Sequence, residues 1–444
     1  MNRYILFFCL CAFMLSISSH RGCAERYVGG DISMLPMYEK HNSPYLDLSN
    51  KEIDDLLVWF VEECGWNTFR VRLFVNPTAG DGVVQTTEYV AQLGKRIKEA
   101  GAYFMLDFHY SDTWVDATHI QAPAAWKGAN AEAMADSLGQ YTKRTLEYLK
   151  QVGATPDLVQ VGNEIMYGLC GIKVAPYDNA NTNANWPAYI NLLKAGCDAV
   201  REQCPNAQII IHTDRPIERS NNQYYYDKLV QAGVDFDIIG LSYYPFWHGY
   251  LTPDQVGKKD NLVTAIEALG ASFPSKRVHI VETAYNFQWW PTQGVKYDTR
   301  SIWACSIAGQ YAFVKDLVDA LTPLTNLDGI SYWFPEEAGN GDDTNWGSGG
   351  ATVINTWQNR GFWNEDQTQS GHKINTTGTY LSYLNNADKI CAPYYLKKFL
   401  QSPTENLIEQ SANAGIQAAK MLENGQLYIR LGDKKYTLSG IEIR

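Results

Sequence analysis

The feature that most constrains this chain is a repeated alternation. From residue 27 onward, short apolar runs rich in β-branched and aromatic residues give way to longer segments with helical spacing, and the pair recurs eight times. The strand-like runs are 27–32, 68–74, 103–108, 158–161, 208–212, 236–241, 277–281 and 329–333. The helical patterns are 51–64, 87–100, 131–151, 187–203, 223–232, 255–269 and 301–321, with 377–386 as the eighth. A strand followed by a helix returns the chain to the same edge of a sheet, so successive strands run parallel. Eight such units in 444 residues favour closure over an open sheet. No glycine fingerprint for a dinucleotide follows the first run. The expected fold class is α/β, a (β/α)8 TIM barrel with a short C-terminal β-rich tail. Residues 24–392 form the barrel domain and 393–444 a linker and tail, where Gly432-Asp433 suggests a hairpin turn.

Barrels of this kind carry their sites at the C-terminal ends of the strands. Here those ends are polar. The second run holds Arg70 and Arg72, two apart and so on one face. The third ends in Asp107-Phe108-His109-Tyr110-Ser111-Asp112, the fourth in Asn163-Glu164 and the fifth in His212-Thr213-Asp214. The sixth ends in Ser242-Tyr243-Tyr244, the seventh in Glu282 and the eighth in Trp333. Polar groups gathered at one rim of an apolar barrel make little structural sense without a site.

Two of these groups are carboxylic acids at the ends of strands four and seven, Glu164 and Glu282. Either alone reads equally well as a salt-bridge partner. As a pair beside Asn163 and aromatic residues they suit glycosidic cleavage, where one carboxyl protonates the leaving oxygen and the other attacks the anomeric carbon. In retaining enzymes the two stand about 5–5.5 Å apart. Mutual repulsion raises one pKa, as a general acid needs, and Arg70 could hold the other as an anion.

The chain has 13 Trp and 28 Tyr, and Trp114, Trp126, Trp247, Trp289, Trp290, Trp333, Trp346 and Trp363 fall in or beside the expected rim loops. Any one of them could be core. Together they describe a groove for sugar rings, whose flat C–H faces stack on aromatic rings. The net charge of −11 argues against nucleic acid, and a neutral polysaccharide suits it better than a polyanionic one.

The residues also carry a resemblance. The string 105–114, Met-Leu-Asp-Phe-His-Tyr-Ser-Asp-Thr-Trp, followed by Pro123-Ala-Ala-Trp126, resembles glycoside hydrolase family 53, the endo-β-1,4-galactanases. So do 69–77, 159–165, 241–247, 281–285 and Tyr332-Trp333. The likeness runs from about 27 to 386. It implies Glu164 as acid/base, Glu282 as nucleophile, and Asn163 on the sugar 2-hydroxyl. It implies that Arg70 and Tyr243 or Tyr244 orient Glu282, and that His109, His212 and Trp333 shape the central subsite. Asp107, Trp114, Trp247 and Trp363 complete the expected substrate-binding set. Residues 286–296 lack the Asp-rich character of a calcium-binding version, so no metal or cofactor is expected. Two rival readings stand beside this one. One is a retaining endo-glycanase of the same clan acting on β-mannan or β-glucan; the other is a non-catalytic surface glycan-binding protein, against which the retention of both glutamates speaks.

The N-terminus reads as an export signal: Arg3, then an apolar run 5–17 too short for a good membrane span. Residues 1–23 would be removed by ordinary cleavage near Gly22-Cys23-Ala24, or Cys23 would become a lipidated N-terminus and tether the protein to an outer membrane. The expected location is extracellular or at the cell surface, and the expected state a monomer. Beyond Cys23, six cysteines remain with no CxxC or zinc spacing, and their pairing cannot be read from sequence.

Overall fold

The computed structural model describes residues 25–40, 44–78, 82–255, 260–288, 290–291, 295–337, 359–366, 371–377 and 390–401. In the tail it describes 418–423, 426–431, 434–437 and 442–443. Cys23 and the export signal, Trp289, Trp346, most of the loop after the eighth strand, the bulk of 377–386, and Gly432-Asp433 lie outside the described residues.

Eight strands close a barrel: β1 (Tyr27–Asp31), β2 (Thr68–Leu73), β3 (Tyr103–Phe108), β4 (Leu158–Val161), β5 (Gln208–Thr213), β6 (Ile238–Tyr243), β7 (Arg277–Thr283) and β8 (Leu327–Trp333). Every neighbouring pair is parallel, and β1 closes the ring against both β2 and β8. Among the described residues a main helix follows each of the first seven strands: α1 (Leu56–Glu62), α2 (Thr87–Glu99), α3 (Ala131–Gln151), α4 (Trp186–Gln203), α5 (Arg219–Gln231), α6 (Leu262–Ser272) and α7 (Ile307–Leu321). Three start later than the hydrophobic pattern suggests, and each start is fixed by a capping side chain. Asp55 accepts from the Leu57 and Val58 N–H groups, Asn261 from Thr264 and Ser306 from Gly309. A cap satisfies N–H groups that no earlier carbonyl can reach, so it outranks apolar periodicity in placing a helix end.

The barrel is tied shut across its chain ends. The Arg26 guanidinium donates to the carbonyls of Phe399, Gln401, Thr322 and Leu324. The short helix α8 (Ala392–Leu396) packs on α7, where Tyr395 donates to Asp319 at 2.6 Å, and the Trp66 indole donates to Pro393. Leu396 and Phe399 are fully buried. Residues 393–401 are therefore packed against the barrel rather than forming a linker, because they cover the apolar side of α7 and the β1–β2 connection. Further on, Ala418–Glu423, Gln426–Leu431, Lys434–Thr437 and Glu442–Ile443 form a four-stranded antiparallel sheet, one strand more extensive on its N-terminal side than the pattern at 426–444 indicates.

Inside, the lower end of the barrel is plugged by Met105, Leu158, Ile210, Ile238 and Val281 with Tyr27 and Tyr103 against them. The main core lies between barrel and helices. The inward positions above the plug are polar, and they form the site. Among the described residues no helix is long and apolar enough to cross a membrane.

Candidate active site

Arg70 organises the mouth. It is 1% exposed, and its Nη1 donates to Asp31 at 2.7 Å. Its Nη2 reaches Asp107 at 2.8 Å, Asn163 at 2.8 Å and Glu282 at 2.9 Å, and its Nε donates to Gln160. Burial disfavours the guanidinium charge, but three carboxylates outweigh this and hold it charged. Asp107 shows the reciprocal balance: burial pushes its pKa up, while Arg70 and His109 pull it down further, leaving it below the usual range.

Glu282 reaches this cluster through a local irregularity. Ile280 pairs with Leu241 and Glu282 with Ser242, so Val281 is passed over in the β6–β7 ladder. The bulge lets Val281 fill the plug and Glu282 also face the interior. Its Oε1 then meets Arg70, and its Oε2 accepts from the Tyr244 hydroxyl at 2.8 Å. Glu164 is presented differently. It follows Gly162, at φ +90°, and Asn163, and its own backbone is left-handed at φ +47°. That conformation is uncommon for a side-chain-bearing residue and marks a position held by its surroundings. The Glu164 N–H donates to His212 Nδ1 at 3.3 Å, and the Ser242 hydroxyl donates to Glu164 Oε1 at 2.6 Å. His212 Nε2 stands 2.8 Å from Ser242 Oγ, which completes a His212–Ser242–Glu164 chain with donors running toward the carboxylate. Burial pushes the imidazole pKa well down, with Arg70 adding to the effect, so the ring is neutral and can accept at Nδ1 while donating from Nε2.

The two carboxyls differ in what opposes their burial. Burial raises both. At Glu282 the Arg70 cation and the Tyr244 hydroxyl work against it. At Glu164 the neighbouring charges that add to burial are Glu282, Asp214 and Asp116, all negative, and the Ser242 hydrogen bond works against them. Glu164 is therefore pushed well above the usual carboxylate range, while Arg70 and Tyr244 oppose the rise at Glu282. Asp214, at the end of β5, is itself pushed up to about 6, chiefly by burial.

The structure brings together Arg70, Asp107, His109, Asn163, Glu164, His212, Tyr244 and Glu282. Asp107 and His212 are fully buried and act on Arg70 and Ser242, so neither offers the substrate a surface. Tyr243 turns away: its hydroxyl donates to Gly249 and its ring lies against Phe313 of α7, because adjacent strand residues face opposite sides. Trp363 also departs from expectation. It is fully buried among Tyr45, Trp59 and Phe60, and its indole N–H donates to Leu46. It belongs to the core outside the barrel because β9 (Trp363–Asp366) joins a small sheet with β10 (Gly371–Ile374) and the strand Tyr45–Leu46. Trp114 and Trp247 are half-buried; Trp114 lies beside His109 and under Arg72, and Trp247 beside Tyr244. The structure adds Asp31 and Gln160, which the sequence reading leaves out of the site; Asp31 closes β1 and Gln160 interrupts an apolar strand, the two signals that point to them.

A carboxyl clamped by a guanidinium, a second carboxyl among negative neighbours, and aromatic surfaces around a barrel mouth are the arrangement that glycoside hydrolysis uses. The chain belongs to glycosyl hydrolase family 53, whose description matches residues 27–373. It is 30% identical to the arabinogalactan endo-beta-1,4-galactanase of Cellvibrio japonicus over 384 residues, covering 82% of this chain and 93% of the other. It is 30% identical to the probable arabinogalactan endo-beta-1,4-galactanase A of Neosartorya fischeri, with 73% and 87% covered. The solved GH53 catalytic domain of Ignisphaera aggregans superposes with a TM-score of 0.67 at 27% identity, covering 79% of this chain and 94% of that one.

Proposed function

We propose that the protein cleaves internal β-1,4-galactosidic bonds in galactan and type I arabinogalactan by a retaining double displacement. The observation that carries the mechanism is the asymmetry of the two carboxyls: Glu282 is clamped by Arg70 and Tyr244, and Glu164 lies among negative neighbours. In the first step Glu164 gives its proton to the glycosidic oxygen as a Glu282 oxygen attacks the anomeric carbon and the C–O bond to the leaving chain breaks. In the second, Glu164 takes a proton from water, whose oxygen displaces Glu282 from the anomeric carbon. Asn163 has its oxygen on Arg70 and one N–H on the Val115 carbonyl, which leaves its second N–H for the sugar 2-hydroxyl.

The galactan assignment is supported by the named relatives and by a net charge of −11 that suits a neutral polymer. Chromatography of products from linear galactan, with β-mannan and cellulose in parallel, tests it. Mid-length oligomers should come first and shorter ones later, from galactan alone. Monomer from the outset contradicts an endo groove, and turnover of mannan or cellulose instead of galactan overturns the substrate. Export through residues 1–23, with lipidation at Cys23, belongs to the same reading: a polymer must be cut outside the cell, and an anchored enzyme keeps its products close. Cys23→Ala should move the protein from the membrane to the soluble fraction and remove the acyl mass; equal solubility with no acyl mass on the wild type would leave free secretion.

A further inference from the structure

Beyond β8 the chain returns to the mouth at Asn359–Gly361, and this return is fastened on several sides. The Arg360 and Gly361 N–H groups both donate to Glu337 Oε2 at 3.0 Å. The Arg360 carbonyl accepts from Tyr332 and from Gln310, each at 2.8 Å. The Asn359 carbonyl accepts from the Phe287 N–H, joining the return to the segment after Glu282. A Cβ at Gly361 would stand 1.6 Å from the Glu337 carbonyl oxygen, so the approach requires glycine. The backbone is thus fixed, and it delivers one side chain inward.

That side chain, the Arg360 guanidinium, is fully buried within a cage of rings. Its carbon lies 5.1 Å from the centre of Tyr244, 5.3 Å from Trp333, 5.5 Å from Phe246 and 5.9 Å from Trp247. All four are within the range where a cation is attracted to a ring face. Tyr244 is the residue whose hydroxyl holds Glu282.

We propose that Arg360 is a positioning residue: it fixes Tyr244, Trp247 and Trp333 as one wall of the sugar site and, through Tyr244, helps keep Glu282 anionic. This rests on the hydrolase reading above. The charged and titratable groups that face Glu282 are Asp31 from β1, Arg70 from β2, Asp107 from β3, Glu164 after β4, Tyr244 after β6 and Arg360 after β8. Of these only Arg70 and Arg360 are cations. Arg70 makes the direct contact and Arg360 adds a longer-range field across a low-dielectric wall.

The test compares Arg360→Met with Arg360→Lys. Loss of the charge leaves Glu282 less favoured as an anion, so its pKa rises and the acidic limb of kcat/KM moves to higher pH. For Arg360→Met the shift should be about 0.5–1 pH unit, smaller than the ~1–3 of a direct ion pair. Arg360→Lys should hold the acidic limb near wild type yet raise KM for long oligosaccharides several-fold, because an ammonium does not spread across four rings. The same limb should appear in the pH dependence of inactivation by a 2-fluoro-galactosyl fluoride, which traps attack by Glu282. A folded Arg360→Met with an unmoved acidic limb, or both variants shifted alike, overturns the proposal. If Arg360→Met fails to fold, Arg360→Gln against Arg360→Lys makes the same comparison. Wild-type protein inert on every glycan would break the hydrolase reading instead.

Discussion

The two ends of the barrel are built by the same strands two residues apart, yet they follow opposite rules. At the floor, Met105, Leu158 and Ile210 pack into an apolar plug. One inward step higher on the same strands stand Asp107, Gln160 and His212, all fully buried. The floor gains stability by removing methylenes from water, about 0.8 kcal/mol for each. The mouth does the reverse. It buries Asp31, Arg70, Arg72, Asp107 and Glu282, where desolvation costs several kcal/mol per ion before pairing offsets it. The lesson is a division of labour: the floor and the helix-side core stabilise a scaffold in which the mouth can hold charges at fixed positions. Substitutions at the mouth should therefore cost catalysis at little cost in stability, and those at the floor the opposite.

The largest effect sharpens this contrast at Glu282. Glu282→Gln should lower kcat by roughly four orders of magnitude or more. The amide cannot attack, but it fills the same space and removes a buried charge, so the thermal midpoint should hold or rise. A fluorosugar trap should label Glu282 in the wild type, and label found only elsewhere would break the assignment. Glu164→Ala should lower turnover of galactan by roughly 10²–10⁴-fold, and much less with an aryl glycoside whose leaving group needs no proton. Added azide should then give a β-glycosyl azide; an α-product would mean inversion.

At the floor, Leu158→Ala should destabilise the fold by about 2–5 kcal/mol, read from denaturant unfolding, with kcat/KM per folded molecule unchanged. A large loss of activity without loss of stability would dissolve the distinction between the ends. The smallest expected effects concern Glu164's proton. Ser242 donates to its carboxylate and so favours the anion. Ser242→Ala should raise the Glu164 pKa and move the basic limb of kcat/KM up by about half a pH unit. Asp214→Asn removes a negative neighbour and should move the same limb down. Shifts of the same sign in both would contradict this electrostatic picture.

Much of the fold is legible in the sequence. The eight strand-like runs match the eight strands in position, and 131–151 matches α3 at both ends. Glu164 and Glu282 stand out because polar residues closing apolar strands are conspicuous. Helix starts were less legible where a cap competes with periodicity, as at Asp55, Asn261 and Ser306. Arg360 carried no local signal at all. It lies in a Gly/Asp/Trp-rich stretch whose role depends on where the chain returns.

The sequence by itself determined the barrel and the polar residues, Glu164 and Glu282 among them, that close its strands, because strand and helix periods and the contents of strand ends are local properties. Tertiary structure decided which neighbours those groups meet. Tyr244 rather than Tyr243 holds Glu282 because one faces the barrel and the other α7. Trp363 is core because β9 pairs into the small sheet, and Glu282 meets Arg70 because a bulge shifts the β7 register. Each depends on contacts between residues far apart in the chain, whose geometry no single run of residues encodes.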